Sequence, residues 1–422
     1  PPPLRSSAAS DVYKRQFIIQ VLAPGFTDNK EAYELAVHFG KIIFPYIIFI
    51  SLAAHFASIN NVHERFAAGA FAPAILNISF ILSLFVLTPL LPSAGHALSY
   101  GVLVGGVLQF LYLYWTVLKF YRPRIRIPVL NDKLKKFFSL FLPGVVGSGV
   151  IQLNIVIGTI IASFLPVGAI SHIYYADRLN QLPLAIFGIA LGIVLLPNLS
   201  KAIKQSDQET THNIQNRSIE FSLLISLPSA IGLFILAEPI IYILFERGAF
   251  LQEDTFYTAR VLGYFALGLP AYIIIKVLVS CFFAREDTKT PLYISLVSVI
   301  SNIVLSLLLI GSMREMGIAL ATAISAWINA ILLYLLLFMR GFLKFDSLLI
   351  RNSIKILLSS ALLIFGIFGL KGILFDDFSA NSILINSLSL FLMIFLVLII
   401  YLGLVIVLKV LTINQLKQYL KK

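Results

Sequence analysis

Long apolar runs that carry few charges dominate this chain and constrain what it can fold into. A helix needs about 20 apolar residues to cross a bilayer, and eleven runs of roughly that length occur within 422 residues. They lie at about 41–59, 70–92, 97–118, 137–164, 168–197, 218–245, 258–283, 291–311, 317–339, 352–370 and 383–408. Because the runs are unbroken rather than alternating, they predict helices and not the strands of a barrel. The predicted fold class is all-α, a polytopic membrane protein.

Composition excludes the other classes of protein. Hydrophobic residues make up 59% of the chain and charged residues 12%, against about 25% charged in an ordinary soluble domain. So few charges could not cover the core of a soluble protein of this size. The single cysteine, Cys281, excludes a disulfide scaffold. The net charge of +12 is interpreted against a membrane, and no nucleic-acid partner is predicted.

The distribution of Lys and Arg predicts the orientation in the membrane. Alternate joints between the runs carry 21 of these residues, whereas the opposite joints carry 4. The positive-inside rule places the basic joints in the cytoplasm. We therefore expect a multi-pass membrane protein with a cytoplasmic C-terminus. The most basic joint, 119–136, holds seven cations and is predicted to attract anionic membrane lipids.

The joints and motifs argue against an enzyme. The sequence contains no HExxH, CxxC pair, GxSxG or Walker-type phosphate loop. Its six His residues are scattered without metal-ligand spacing. We therefore predict no catalytic residue, no metal site and no cofactor. A transporter needs only a cavity and two conformations; coupling to the membrane potential or to a monovalent cation is left open.

One charged pair inside a predicted span marks a candidate site. Arg178 lies ten residues after Gly168, or about 15 Å along a helix, near the middle of a ~30 Å hydrocarbon core. A charge at that depth costs at least about 2.5–3.5 kcal/mol, so it should face water, a partner or a ligand. A guanidinium binds diphosphate bidentately. Asp177 and Arg178 therefore predict an anion site for a phosphorylated lipid headgroup; an interior ion pair that only joins helices is the alternative.

Polar residues on neighbouring predicted spans are candidates for lining that site. They are Gln152, Asn154, Ser171 and Gln181. Hydrogen bonding between helices is the alternative for each of them. Lys276 is interpreted as a snorkelling side chain.

An internal repeat predicts two lobes. FPYIIFISL at 44–52 resembles LPAYIIIKVL at 269–278, and the two copies lie six predicted spans apart. This even separation gives a parallel repeat, which predicts two helical lobes around a central cavity.

The domain organisation follows from the repeat and the joints. The polar segment 1–16 is interpreted as a non-native tail, with a native cytoplasmic tail as the alternative. The remaining predicted parts are a truncated first lobe at 17–118, a cytoplasmic linker at 119–136, a second lobe at 137–339, and a C-terminal helix pair with a basic tail at 340–422.

Several segments resemble one family. These are APGF at 23–26, FPYI at 44–47, AFAPAILNIS at 70–79, ASFLPVGAISHIYYADRLNQLPLAIFGIALGIVLLPNLSK at 162–201, ERGAF at 246–250 and AREDTKTP at 284–291. From Phe17 to the C-terminus the chain resembles the MurJ/MviN lipid II flippases of the multidrug/oligosaccharidyl-lipid/polysaccharide exporter superfamily. The stretch around YYADRL is typical of this branch rather than of the drug exporters.

The resemblance implies fourteen helices, of which the last two form a lipid-facing groove. It places the end of helix 3 and helices 4–14 in this chain. It also implies alternating-access transfer of undecaprenyl-diphosphate-linked disaccharide-pentapeptide from the inner to the outer leaflet of the bacterial plasma (inner) membrane. Arg178 matches the family's essential cavity arginine, Asp177 its neighbour and Ser171 a cavity serine, whereas Gln181 stands where many members have Glu. Other key charges of the family lie in helices 1 and 2, so we expect this chain alone not to be a working flippase.

Other functions remain alternatives. Within the superfamily these are a polysaccharide-unit flippase and a drug/cation antiporter. A different class is a non-transporting membrane scaffold for cell-wall enzymes. The expected partners are accordingly a lipid-linked diphosphate substrate, anionic lipids and cell-wall synthesis proteins.

Overall fold

The computed structural model describes residues 19–123, 132, 138, 152, 155–374 and 383–410, with backbone alone for Asp28 and 187–194. These described residues are helical or lie in turns and short connections, and none of them forms a strand. The all-α, multi-pass membrane fold predicted from the sequence is confirmed. The chain divides into two compact units, one ending at Leu142 and the other beginning at Pro143.

The described residues of the first unit include four α-helices, and the first three of these pack around the fourth. Its helices are α1 (Lys30–Ile43), α2 (Tyr46–Val62), α3 (Phe66–Leu87) and α4 (Ala94–Leu118). Helix α4 packs against each of the other three. Helices α1 and α2 meet at an angle of 42°, and Pro45 lies at that joint, where its ring fixes φ and removes a backbone donor.

The second unit is larger and is built around one buried helix. Its helices are α5 (Ala169–Pro183), α6 (Ile189–Lys204), α7 (Gln208–Ile235), α8 (Ala237–Phe245), α9 (Gln252–Phe283), α10 (Lys289–Met313), α11 (Glu315–Met339), α12 (Ser347–Leu374) and α13 (Ile383–Val407). Residues 155–162 are also helical. Helix α9 packs on α5, α7, α8 and α11, while α12 packs on α7 and α13.

Helix α9 differs from the other candidate spans in how much of it is covered by protein. Its most apolar stretch is 67% buried, whereas the same measure is 17–39% for the others. Gly263, Ala266, Gly268 and Ala271 are buried along it, and such small side chains let neighbouring helices approach closely. The outer helices instead expose large apolar side chains, such as Phe365 on α12 and Phe391 on α13. An exposed apolar surface of this kind suits contact with lipid tails.

Among the described residues, eight helices are long and apolar enough to cross a membrane, or nine if the bent pair α1–α2 is one span. These nine match nine of the eleven runs predicted from the sequence. The predicted run 137–164 lies mostly outside the described residues.

Two runs predicted as single spans are interrupted. The run 168–197 consists of α5 and α6, joined by a π-helical turn at Leu184–Gly188. Pro183 ends α5 and cannot donate the hydrogen bond that would continue a regular helix. The run 218–245 breaks at Leu236, between α7 and α8, where Pro239 follows in the first turn of α8. Hydropathy alone does not register such breaks, because the residues on both sides remain apolar.

Candidate functional site

Among the helices described in the second unit, α5 is the most polar. Gly168 precedes it with a φ of +102°, a conformation that strains any residue with a side chain. Its sequence, AISHIYYADRLNQLP, brings charged, amide and phenol groups into a run that is otherwise apolar. The π-helical turn follows directly, and such turns are frequent at functional sites.

A cavity of about 560 Å³ opens along one side of α5. It lies wholly within the second unit. Its wall combines residues of α5, the helical segment 155–162, α9, α10 and α11. The polar or charged lining side chains are Thr159, Tyr174, Asp177, Asn180, Gln181, Tyr272, Lys276, Asn302 and Thr322. A mostly apolar cavity with a few convergent polar groups is the usual form of a ligand site.

Asp177 is the acidic residue of this cavity wall. Its carboxylate accepts a hydrogen bond from the Gln181 side-chain amide, one helical turn further along α5. Asn180 is 3% exposed. Within the described part of the chain, the Asn180 Oδ1 and Tyr272 hydroxyl atoms are buried without a hydrogen-bond partner. Such orphaned groups cost free energy, so polar ligand atoms or water in the cavity would stabilise them.

Arg178 lies beside the cavity rather than in its wall. Its guanidinium stacks over the Tyr174 ring, with 4.6 Å between the guanidinium carbon and the ring centroid. It also donates a hydrogen bond to the Tyr174 hydroxyl at 3.0 Å. Tyr174 lines the cavity, so it places the cation at the cavity edge. Arg178 is exposed, and no carboxylate pairs with it among the ion pairs of the described residues.

The other residues predicted from the sequence are only partly brought together. Gln181 joins Asp177 in the cavity wall. Ser171 is exposed on α5 and lies outside that wall. Gln152 is exposed, and Asn154 lies outside the described residues.

Seven of the nine polar or charged cavity residues were not assigned to the site from the sequence, among them Tyr272, Asn180 and Lys276. Tyr272 and Asn180 carried no signal, because an isolated phenol or amide in an apolar run is common. Lys276, interpreted above as a snorkelling side chain, lines the cavity. Its depth, seven residues before the end of α9, was the signal that could have assigned it.

A second cavity of about 370 Å³ lies between α7, α12 and α13. The described residues that line it are almost all apolar, and Ser229 and Tyr401 supply the hydroxyls among them. The Tyr401 hydroxyl donates to the Leu224 carbonyl at 2.7 Å, so it offers little polarity to an occupant. This cavity suits a hydrocarbon chain.

Comparison with known proteins identifies sequence relatives. The family described as "Lipid II flippase MurJ" matches residues 11–393. A "Probable lipid II flippase MurJ" of Rhizobium tropici is 41% identical over 349 residues, which is 81% of this chain and 65% of that protein. A "Lipid II flippase MurJ" of Burkholderia cenocepacia is 35% identical over 330 residues, which is 77% of this chain and 64% of that protein. The chain thus spans about two thirds of the length of these relatives.

Solved structures show the same fold. A structure described as "Lipid II flippase MurJ, inward closed conformation" superposes with a TM-score of 0.79 at 27% identity, covering 95% of this chain and 80% of the other. An inward-facing multidrug resistance MATE family transporter of the MOP superfamily gives 0.66 at 14% identity, covering 78% of this chain and 77% of the other. At that identity the second similarity concerns the fold alone.

Proposed function

The chain belongs to the MurJ family, and from this premise we propose that it supplies most of a flippase for lipid-linked peptidoglycan precursor. The proposed substrate is an undecaprenyl-diphosphate-linked disaccharide-pentapeptide, moved from the inner to the outer leaflet. The observation that carries the proposal is the cavity beside α5: Asp177 lies in its mostly apolar wall, and Arg178, stacked on the Tyr174 ring, lies at its edge.

Arg178 is proposed to bind the diphosphate. Its guanidinium is exposed and has an aromatic ring as its neighbour, so its donors remain available to an anion. A guanidinium offers a planar fork of donors that matches phosphate oxygens. The polar groups deeper in the cavity, Asn180 and Tyr272, are proposed to receive hydroxyl or amide groups of the sugar and peptide.

The apolar cavity between α7, α12 and α13 is proposed to take part of the polyprenyl chain. Pro183, the last residue of α5, belongs to its lining. Because α5 also carries the headgroup site, one helix borders both cavities. A lipid whose headgroup and tail occupy different cavities of one unit fits this arrangement.

A binding measurement tests the proposal. Purified protein in nanodiscs is mixed with the lipid-linked diphosphate precursor, and complexes are counted by native mass spectrometry. Charge-assisted hydrogen bonds contribute about 1.5–3 kcal/mol. We therefore expect Arg178→Ala to weaken binding by about tenfold to a hundredfold, and Arg178→Lys to recover only part of it because an ammonium lacks the fork.

Arg260→Ala is the matched control. Arg260 is also exposed, and its guanidinium carbon lies 4.2 Å from the centroid of the Phe256 ring, four residues earlier on α9. It does not line the cavity, so this variant should bind as the parent does. Unchanged binding by Arg178→Ala would contradict the proposal. Preferential binding of a cationic drug or of another polysaccharide-linked lipid would favour the corresponding alternative.

The remaining features follow from the family as proposals. The protein is proposed to transport without catalysing a covalent reaction, with its C-terminus in the cytoplasm. Coupling to the membrane potential or to a monovalent cation, and contact with cell-wall synthesis proteins, stay predictions.

A further inference from the structure

One histidine side chain joins three helices at the Gly168 end of α5. His172 is 4% exposed and lies between two carboxylates. Its Nδ1 atom is 3.0 Å from Oε1 of Glu315, the first residue of α11. Its Nε2 atom is 2.9 Å from Oδ1 of Asp254, in the first turn of α9. We refer to His172, Asp254 and Glu315 as the His172 cluster.

With both carboxylates ionised, the geometry of the cluster requires both ring nitrogens to carry a proton. An ionised carboxylate only accepts hydrogen bonds, whereas a neutral imidazole has one N–H donor and one lone pair. A neutral His172 would therefore direct its lone pair at a carboxylate oxygen within hydrogen-bond distance. The doubly protonated imidazolium satisfies both contacts.

The charges around the ring balance only while His172 is protonated. Arg314, at the junction of α10 and α11, lies with its Nε 3.3 Å from Glu315 Oε2. Its guanidinium covers the Tyr257 ring at 4.4 Å, and that ring stacks on His172 at 5.7 Å. Among the described residues, the titratable groups around His172 are therefore Asp254 and Tyr257 of α9, Arg314 at the end of α10, and Glu315 of α11. With a neutral His172, two carboxylates would share one cation, and Glu315 is fully buried, where an uncompensated charge is costly.

Protons can still reach the cluster. The Asp254 side chain is 31% exposed, whereas the His172 side chain is 6% exposed. Asp254 also accepts a hydrogen bond from the Leu251 backbone N–H at 2.8 Å through its other oxygen. The partly exposed Asp254 carboxylate thus connects solvent to the ring and remains bonded to the start of α9.

The cluster anchors one end of a short helix whose other end is a π-helical turn. Tyr174, Asp177 and Arg178 follow His172 by two, five and six residues, or about 3, 7.5 and 9 Å along α5. A change at the cluster therefore changes the position of the cavity wall. The π-helical turn lies between α5 and α6 and interrupts the regular α-helical hydrogen bonding there.

We propose that His172 is a positioning residue for the candidate site. As an imidazolium it fixes α5 against α9 and α11, and loss of its proton releases that end of α5 and displaces Tyr174, Asp177 and Arg178. Binding at the site then depends on pH through His172. The link to binding rests on the proposed function, whereas the movement of α5 does not.

Spin labels at Ser171→Cys and Gln252→Cys, both exposed positions, report the distance between α5 and α9 by electron paramagnetic resonance in nanodiscs. The native Cys281 is fully buried. We expect a narrow distance distribution at about pH 6, where the two carboxylates hold the ring protonated, and a broad one at about pH 10, far above the value of about 6.5 at which an ordinary imidazole titrates. A wild-type distribution that stays narrow at both values would overturn the proposal.

Two variants give the signature that a merely structural contact would not. Asp254→Asn places a side-chain amide opposite His172. The amide N–H can donate to the lone pair of a neutral ring, so the distance distribution of this variant should stay narrow at both pH values. His172→Gln removes the charge and should be broad at both. If His172→Gln fails to fold, Asp254→Asn alone decides, because a pH response equal to that of the wild type would contradict the mechanism. His96→Gln is the control. The His96 ring forms a hydrogen bond with the Ser93 hydroxyl in the first unit, so this variant should respond to pH as the wild type does.

Binding of the lipid-linked diphosphate, measured on the same samples without labels, separates the two proposals. We expect wild-type binding to weaken at least tenfold between about pH 6 and pH 10, and Asp254→Asn binding to change much less. A pH-dependent distance with pH-independent binding would overturn the positioning role. Absence of binding at every pH, with the distance response intact, would contradict the proposed function and uphold the movement of α5.

Discussion

Individual polar side chains hold the ends of several helices in this chain. Asp207 caps α7, accepting a hydrogen bond from the Thr210 backbone N–H at 2.9 Å. Asp287 lies two residues before α10 and accepts hydrogen bonds from the Thr290 N–H at 2.9 Å and from the Thr290 hydroxyl at 2.6 Å. Arg340, at the end of α11, donates to the same Asp287 carboxylate at 2.7 Å. One carboxylate therefore connects α10 to the end of α11.

Asp287 gives a prediction for stability against pH. Partial burial raises its pKa, but the hydrogen bonds from Thr290 and Arg340 outweigh burial and lower the pKa to about 2. Since this value lies below the unfolded value of 3.8, the stabilisation is complete above about pH 4 and is lost as the pH falls towards 2. Asp287→Ala should cost about 1–2 kcal/mol at neutral pH. The difference in Tm from the wild type should then shrink below about pH 4.

Differential scanning fluorimetry in detergent measures this difference. Glu253→Ala, which removes an exposed carboxylate of α9, is the control and should show no such pattern. A Tm difference that is the same at about pH 3 and pH 7 would show that the Asp287 charge does not stabilise the junction.

At the same scale, only part of the candidate site could be predicted from the sequence. Arg178 and Asp177 were predicted because a charge in the middle of an apolar run is costly and therefore conspicuous. The His172 cluster was not, because its contacts join residues 82 and 143 positions apart, and scattered His, Asp and Glu have no local pattern. Tyr272 belongs to the cavity only because α9 packs on α5.

Among the helices, α7 and α12 are held together by a charged group of contacts near the start of α12. Arg217 of α7 donates through Nη2 to both Asp346 oxygens at 2.8 and 2.7 Å. It also pairs with Glu220, one turn further along α7. Glu220 in turn accepts from the Asn352 amide of α12 at 2.6 Å. Removing the cation leaves two carboxylates facing each other.

Arg217→Ala should therefore destabilise the protein by about 1–3 kcal/mol, the usual cost of leaving a half-buried charged group without its partner. Adding Glu220→Gln should recover part of that loss, because it removes the uncompensated charge and keeps an acceptor for Asn352. Unfolding in denaturant, followed for the two single variants and the double variant, measures the coupling. Strictly additive losses would indicate that the Arg217–Glu220 contact contributes nothing.

The helices themselves were largely predictable, whereas their interruptions were not. Nine of the eleven apolar runs correspond to helices of spanning length, counting α1 and α2 together. Hydropathy measures transfer into lipid and is insensitive to backbone geometry. The π-helical turn after Pro183 and the break at Leu236 depend on where backbone donors are lost, and so required the structure.

For the whole molecule, the arrangement of charges predicts which ends of the helices face the cytoplasm. Single cysteines at Lys204 and Glu253, both exposed, lie at joints with opposite predicted sides. A membrane-impermeant maleimide applied to intact cells should label Glu253→Cys and leave Lys204→Cys unlabelled until the membrane is opened. The basic linker positions 127–131, outside the described residues, should behave as Lys204→Cys does. Labelling of Lys204→Cys from outside would reverse the predicted orientation.

The burial of α9 has a consequence for how the protein is made. Helix α9 is covered by α5 and α7, which precede it, and by α11, which follows it. Helix α11 ends at Met339, 56 residues after Phe283. At about 5–20 residues per second of synthesis, the last residue of α11 is added roughly 3–11 s after the last residue of α9. For that time the surface of α9 that contacts α11 has no protein partner there. During those seconds the nascent helix lies beside lipid or the insertion machinery along a surface that, once α11 arrives, contacts only protein.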